Sequence, residues 1–158
     1  MCILHATLPD ACVYGSSEMN ALQGDLNGAF VAESDGEETY AIVPNGYGND
    51  DSESYVSFDF TNCESTTVQF DVRAHAPNGG DDSFYMQVDD GDVITWHYPG
   101  QQTFEWQTFA TTFTVDAGQH TLYVKHREDG TELQAVRIVA GEAGFGALLA
   151  CLACKYTL

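Results

Sequence analysis

The chain has 158 residues, with 24 Asp or Glu against only 5 Lys or Arg, a formal charge of −19. Phosphate binding needs clustered Lys and Arg, so this balance excludes a nucleic-acid partner and disfavours an anionic membrane surface. The length suits one domain, and no apolar run reaches the ~20 residues of a membrane-spanning helix.

An acidic surface of this kind serves solubility, divalent cations such as Ca²⁺, or a basic partner protein. Residues 1–28 show no regular period and are punctuated by Pro9, Gly15, Gly24 and Gly28, so an irregular lead-in with room for a short strand is expected. The first residues, Met1 to Ala6, lack the basic and apolar regions of a secretory signal. Next, Phe30-Val31-Ala32 and Tyr40 to Val43 flank an acidic turn at Ser34 to Glu38 and read as paired strands.

Alternation then becomes regular. Val56, Phe58 and Phe60 share one face, and Val68, Phe70 and Val72 turn away from Gln69, Asp71 and Arg73. After a turn at Pro77 to Asp82, Phe84, Met86 and Val88 alternate with Tyr85, Gln87 and Asp89, and a second turn follows at Asp89 to Asp92. Phe113 and Val115 precede a turn at Asp116 to Gly118, and Leu122, Val124, Val136 and Ile138 close the pattern. With strands at short intervals and no intervening helix, the expected fold is all-β: an antiparallel β-sandwich, or jelly roll, over 29–140. Residues 141–158 form a short apolar tail with weak helical character.

Of the five cysteines, Cys63 lies in a turn-like connection from which a bridge back to Cys12 is sterically easy. Cys151 and Cys154 form a CxxC, but it lacks the βαβ setting of a redox motif and the second ligand pair of a zinc site.

Sugar rings present apolar C–H faces, so a glycan site needs aromatic platforms and a few orienting polar groups. Trp96, Tyr98, Phe104 and Trp106 cluster between clear strands, accompanied by His97 and Glu105. Trp106 and Trp96 each either serve that site or pack on the core beneath it. Tyr47, after Asn45-Gly46, is expected on another loop, either as a second wall or as a turn aromatic with no ligand. Glu128 and Asp129 are paired acids, but adjacent turn residues seldom face one another across a substrate. No nucleophile elbow, phosphate loop or H-E-x-x-H helix is present, so no enzymatic activity is expected.

The run from Val72 to Asp89, the Trp96-His97 and Phe104-Glu105-Trp106 groups, and Ala117 to Leu122 followed by Arg127 to Leu133 resemble one family. They are similar to the galactose-binding-like β-sandwich of carbohydrate-binding modules, in the group that includes families 6 and 35. The resemblance implies two antiparallel sheets, sugar binding by aromatic residues on loops, and a structural Ca²⁺. In the matching positions, Glu33 of Val31-Ala32-Glu33 answers to a calcium carboxylate, Glu132 to a ligand-contacting residue, and Gln134 to a second calcium carboxylate that this chain replaces by an amide. The implied function is non-catalytic glycan binding outside the cytoplasm. The alternative is an accessory subunit that docks protein partners of a larger assembly through its surface and residues 144–158.

Overall fold

Alternating apolar side chains need a second apolar surface to face, and here each sheet supplies it to the other. The computed structural model describes residues 16–62, 64–98 and 103–140. Among these described residues, eleven strands run in the order β1 (Ser16–Asn20), β2 (Asp25–Asn27), β3 (Val31–Ser34), β4 (Thr39–Ile42), β5 (Tyr55–Asn62), β6 (Thr66–His75), β7 (Ser83–Val88), β8 (Ile94–His97), β9 (Glu105–Val115), β10 (Gly118–His126) and β11 (Glu132–Ala140). One sheet has the order β3-β4-β11-β6-β9, with β1 also paired to β11; the other is β2-β5-β10-β7-β8. All pairings are antiparallel. The expected β-sandwich is the observed fold.

Val56, Phe58, Val68, Phe70, Val72, Phe84, Met86, Leu122, Val124, Val136 and Ile138 all turn inward and are buried. The sandwich starts earlier than expected. Within the supposed lead-in, β1 lies along β11 with Ser16 opposite Val139, and β2 lies along β5. Asn20 caps the short 3₁₀ turn Ala21–Gln23 between them: its side chain accepts from the Leu22 N–H at 2.9 Å while Gln23 bonds back to the Asn20 N–H. A strand as polar as Ser-Ser-Glu-Met-Asn forms because β11 offers it a partner, not because of its own pattern.

The pairing registers gather the loops at two poles. One pole carries the connections 43–54, 76–82 and 127–131. The other carries the β7–β8 and β9–β10 turns, the start of β1 and the end of β11. Cys12, Cys63, Cys151, Cys154 and the apolar tail lie outside the described residues, and with them the expected bridge and the docking segment. No helix among the described residues is long and apolar enough to cross a membrane.

Candidate functional site

Trp96, Tyr98, Phe104 and Trp106, expected to form one platform, are divided between two places. Trp96 and Tyr98 are core residues, 8% and 0% exposed. Trp96 packs against Phe109 of the facing sheet with ring centroids 5.7 Å apart, and meets Tyr98 nearly at right angles at 5.3 Å. The Tyr98 hydroxyl donates to the Glu105 carbonyl at 2.7 Å, and burial holds its pKa above 10.0. Neither ring has a face for a sugar. The reason is period-two alternation: Ile94, Trp96 and Tyr98 point in, while Thr95 and His97 point out. His97 is exposed on β8, with Nδ1 3.5 Å from Asp82.

Phe104 and Trp106 stand on the outer face of the sheet containing β11, both half-buried. Phe104 packs on Tyr40 at 5.4 Å and on His75 at 5.6 Å, with the Arg73 guanidinium 5.8 Å from its ring. Trp106 is covered more closely by Arg137, 4.1 Å from the ring centroid. Glu132 belongs to this face but is engaged by His75 Nδ1 at 2.8 Å. A cleft of about 250 Å³ lies alongside, bounded by Asp35, Glu38, Arg73, His75 and Phe104.

The expected calcium residues do not meet. Glu33 stands exposed on β3 opposite Tyr40, two strands from β11, which is roughly 9–10 Å by strand spacing. The Gln134 amide donates to Glu38, which also takes Arg73 at 3.0 Å. The described residues contain no group of three or more His, Cys, Asp or Glu placed to hold a metal ion.

Tyr47 is different. At 59% exposed it is the one exposed Phe, Tyr or Trp ring among the described residues. Its loop is held by Asp129, whose Oδ2 accepts from the Gly46 N–H at 2.7 Å and the Gly48 N–H at 2.9 Å. Those bonds, led by the one from Gly48, keep the Asp129 carboxyl below 3.8. Asp129 therefore braces a loop some eighty positions upstream and does not close its own turn. In the same turn, Arg127 pairs with Glu128 at 2.7 Å, and both bond Ser83. Burial alone would raise the Glu128 carboxyl, but bonds from Ser83 and the Asp82 N–H, with Arg127 nearby, hold it below 4.5.

Beside Tyr47, a shallow polar cup forms over Gly130. This residue has φ +84°, and a Cβ there would lie 2.6 Å from Asn45 Oδ1 and 3.0 Å from Asp81 Oδ2. Asn78 Nδ2 donates to the same Asp81 oxygen at 2.6 Å. In the sequence Asp81 reads as a solvated turn carboxylate, and Asn45 and Asn78 are marked only by the Asn-Gly step that both loops contain, Asn45-Gly46 and Asn78-Gly79. Under the loop lies His126, 1% exposed, its ring 6.0 Å from that of Tyr47. Neither His126 nitrogen has a hydrogen-bond partner among the described residues, and burial keeps its pKa below 6.5.

No protein-family model and no curated protein sequence matches the chain. Solved structures do. A family 35 carbohydrate-binding module from Clostridium thermocellum superposes with a TM-score of 0.63 at 16% identity, over 78% of this chain and 98% of the module. The fold is that of the carbohydrate-binding modules of families 35 and 6. A family 6 module from Cellvibrio mixtus lichenase 5A, solved in complex with cellotriose, gives 0.61 at 20% identity over 80% of this chain and 98% of its own. The chain also matches a Podospora anserina GH26-CBM35 β-(1,4)-mannanase, with a TM-score of 0.68 at 14% identity over 80% of this chain. It spans only 28% of that enzyme's length.

Proposed function

We propose that this chain is a non-catalytic glycan-binding module whose sugar site is built on Tyr47. The observation that carries the reading is the open Tyr47 ring, on a loop that Asp129 holds beside the Asn45, Asn78 and Asp81 cup. An aromatic face flanked by amide and carboxylate groups supplies what a sugar needs: a stacking surface and orienting hydrogen bonds. Trp106 is a poorer platform because Arg137 already occupies a face of its ring. The carboxylates of Asp81, Asp129 and Asp50 around the loop disfavour polyanionic sugars, so the ligand is a neutral glycan, met outside the cytoplasm. The cellotriose complex of a module sharing the fold supports the ligand class.

The test is a glycan array followed by affinity gel electrophoresis on the best neutral polysaccharide. Tyr47→Ala is expected to abolish retention, while Trp106→Ala retains it. No retention of the unmutated chain on any neutral glycan would sink the reading, and loss only in Trp106→Ala would move the site to the outer sheet face.

A further inference from the structure

β8 and β9 are each the last strand of a sheet, and they flank one side of the sandwich. Between them, at the pole away from Tyr47, opens a cleft of about 570 Å³. Ile94 and Phe113 are half-buried in its wall, Val93 beside it is 48% exposed, and Asp89, Asp90, Asp92 and Asp116 surround it. An apolar wall with an acidic rim has the pattern of an interface for a chain that is both apolar and basic.

The strand bordering the cleft is unusually unprotected. β9 pairs with β6 on one side, and no described residue pairs with it on the other. Natural edge strands are blunted by charge, proline or a bulge. From Trp106 to Val115 this strand carries no charge, no proline and no glycine, in a chain of net charge −19. Its one device is a register irregularity opposite Gln69, beyond which Phe113, Thr114 and Val115 resume regular pairing with β6 beside the cleft. Their outward backbone groups are a template for one more strand.

Charge selects the occupant. No Lys or Arg lines the cleft. The one histidine ring among its lining residues, His120, is already held between Asp89 at 2.7 Å and the Asp116 carbonyl at 2.9 Å. Exposed Asp90 and Asp92 have no hydrogen-bond or ion-pair partner among the described residues. A second copy of this chain would bring like charge to the rim. We propose that the β8–β9 cleft docks an extended, lysine- or arginine-bearing segment of a partner protein, which adds to β9 as a further strand and places its cations against Asp90 and Asp92.

The experiment uses the full ¹⁵N-labelled chain and a short peptide alternating lysine and valine, with a glutamate–valine peptide as control. The lysine peptide is expected to slow amide exchange within 112–115 and to shift resonances at 89–94 and 112–116. Asp90→Asn combined with Asp92→Asn is expected to weaken it about tenfold. Asp25→Asn combined with Glu53→Gln removes equal charge near the opposite edge of the β2–β8 sheet and is expected to change affinity by less than about twofold. Equal loss in both double variants, equal binding of the glutamate peptide, or protection away from β9 would overturn the proposal. So would sedimentation as a dimer whose dissociation removes the β9 protection, which would assign the edge to a second copy.

Discussion

His120 and His126 occupy opposite ends of β10, and their surroundings shift the two rings' pKa values in opposite directions. His120 bonds Asp89 through Nδ1 and the Asp116 carbonyl through Nε2, two acceptors that together favour the doubly protonated ring. Burial alone would lower its pKa, yet these bonds raise it above 6.5. His126 is buried with no hydrogen-bond partner among the described residues, and burial lowers its pKa below 6.5.

Their contributions to stability therefore have opposite pH signs. For His120 the stabilisation is complete below 6.5 and is lost as pH rises through the raised folded-state value. For His126 the neutral ring costs nothing extra above 6.5, and stability falls as pH drops below it, because only the unfolded chain protonates readily. Urea denaturation followed from about pH 5 to 8 is expected to show a maximum close to 6.5. His120→Gln should flatten the basic limb and His126→Phe the acidic one; two limbs insensitive to their own substitution would refute the assignment.

Core and surface aromatics should separate cleanly by stability. Trp96→Ala is expected to cost about 3–5 kcal/mol, and Tyr98→Phe about 1 kcal/mol for the lost bond to the Glu105 carbonyl. Tyr47→Ala should leave the denaturation midpoint unchanged while lowering glycan affinity about tenfold or more. A large stability loss in Tyr47→Ala would mean that the ring packs as core.

Gly130→Ala meets two obstacles, a positive φ and the carboxamide of Asn45 at 2.6 Å. We expect a loss of about 1–3 kcal/mol together with weaker glycan binding, since the cup must widen. Calorimetry on the variant decides it, and an unchanged melting temperature would contradict the close approach.

Asp129→Asn leaves the shape of the turn but removes the charge that orders the loop. Hydrogen exchange at Gly46 and Gly48 should accelerate, and glycan affinity should fall, with the β-sheet amides unaffected. The native chain should show the same loosening as pH falls below 3.8 through the depressed Asp129 value. Exchange rates at these two glycines identical to wild type would show that another group holds the loop.

The strands were legible wherever apolar residues alternated over several positions, as in Val68-Phe70-Val72 and Phe84-Met86-Val88. The same rule applied to Ile94-Trp96-Tyr98 places all three inside, but the adjacent Pro99-Gly100 and the density of aromatics suggest an exposed loop. β1 was not legible because its one apolar residue, Met19, gives no period, and its existence depends on β11, more than a hundred residues away. Tyr47 was legible as a loop aromatic. The cup beside it was not, since Asn45, Asn78, Asp81 and Gly130 come from three connections brought together only by the closed sandwich.

The pairing of Ser16 with Val139 places the first and last strands' outer ends side by side, at the pole away from Tyr47. The backbone therefore enters β1 and leaves β11 as neighbours. Both crossings lie at the opposite pole from the aromatic loop, so neither obstructs the approach to it.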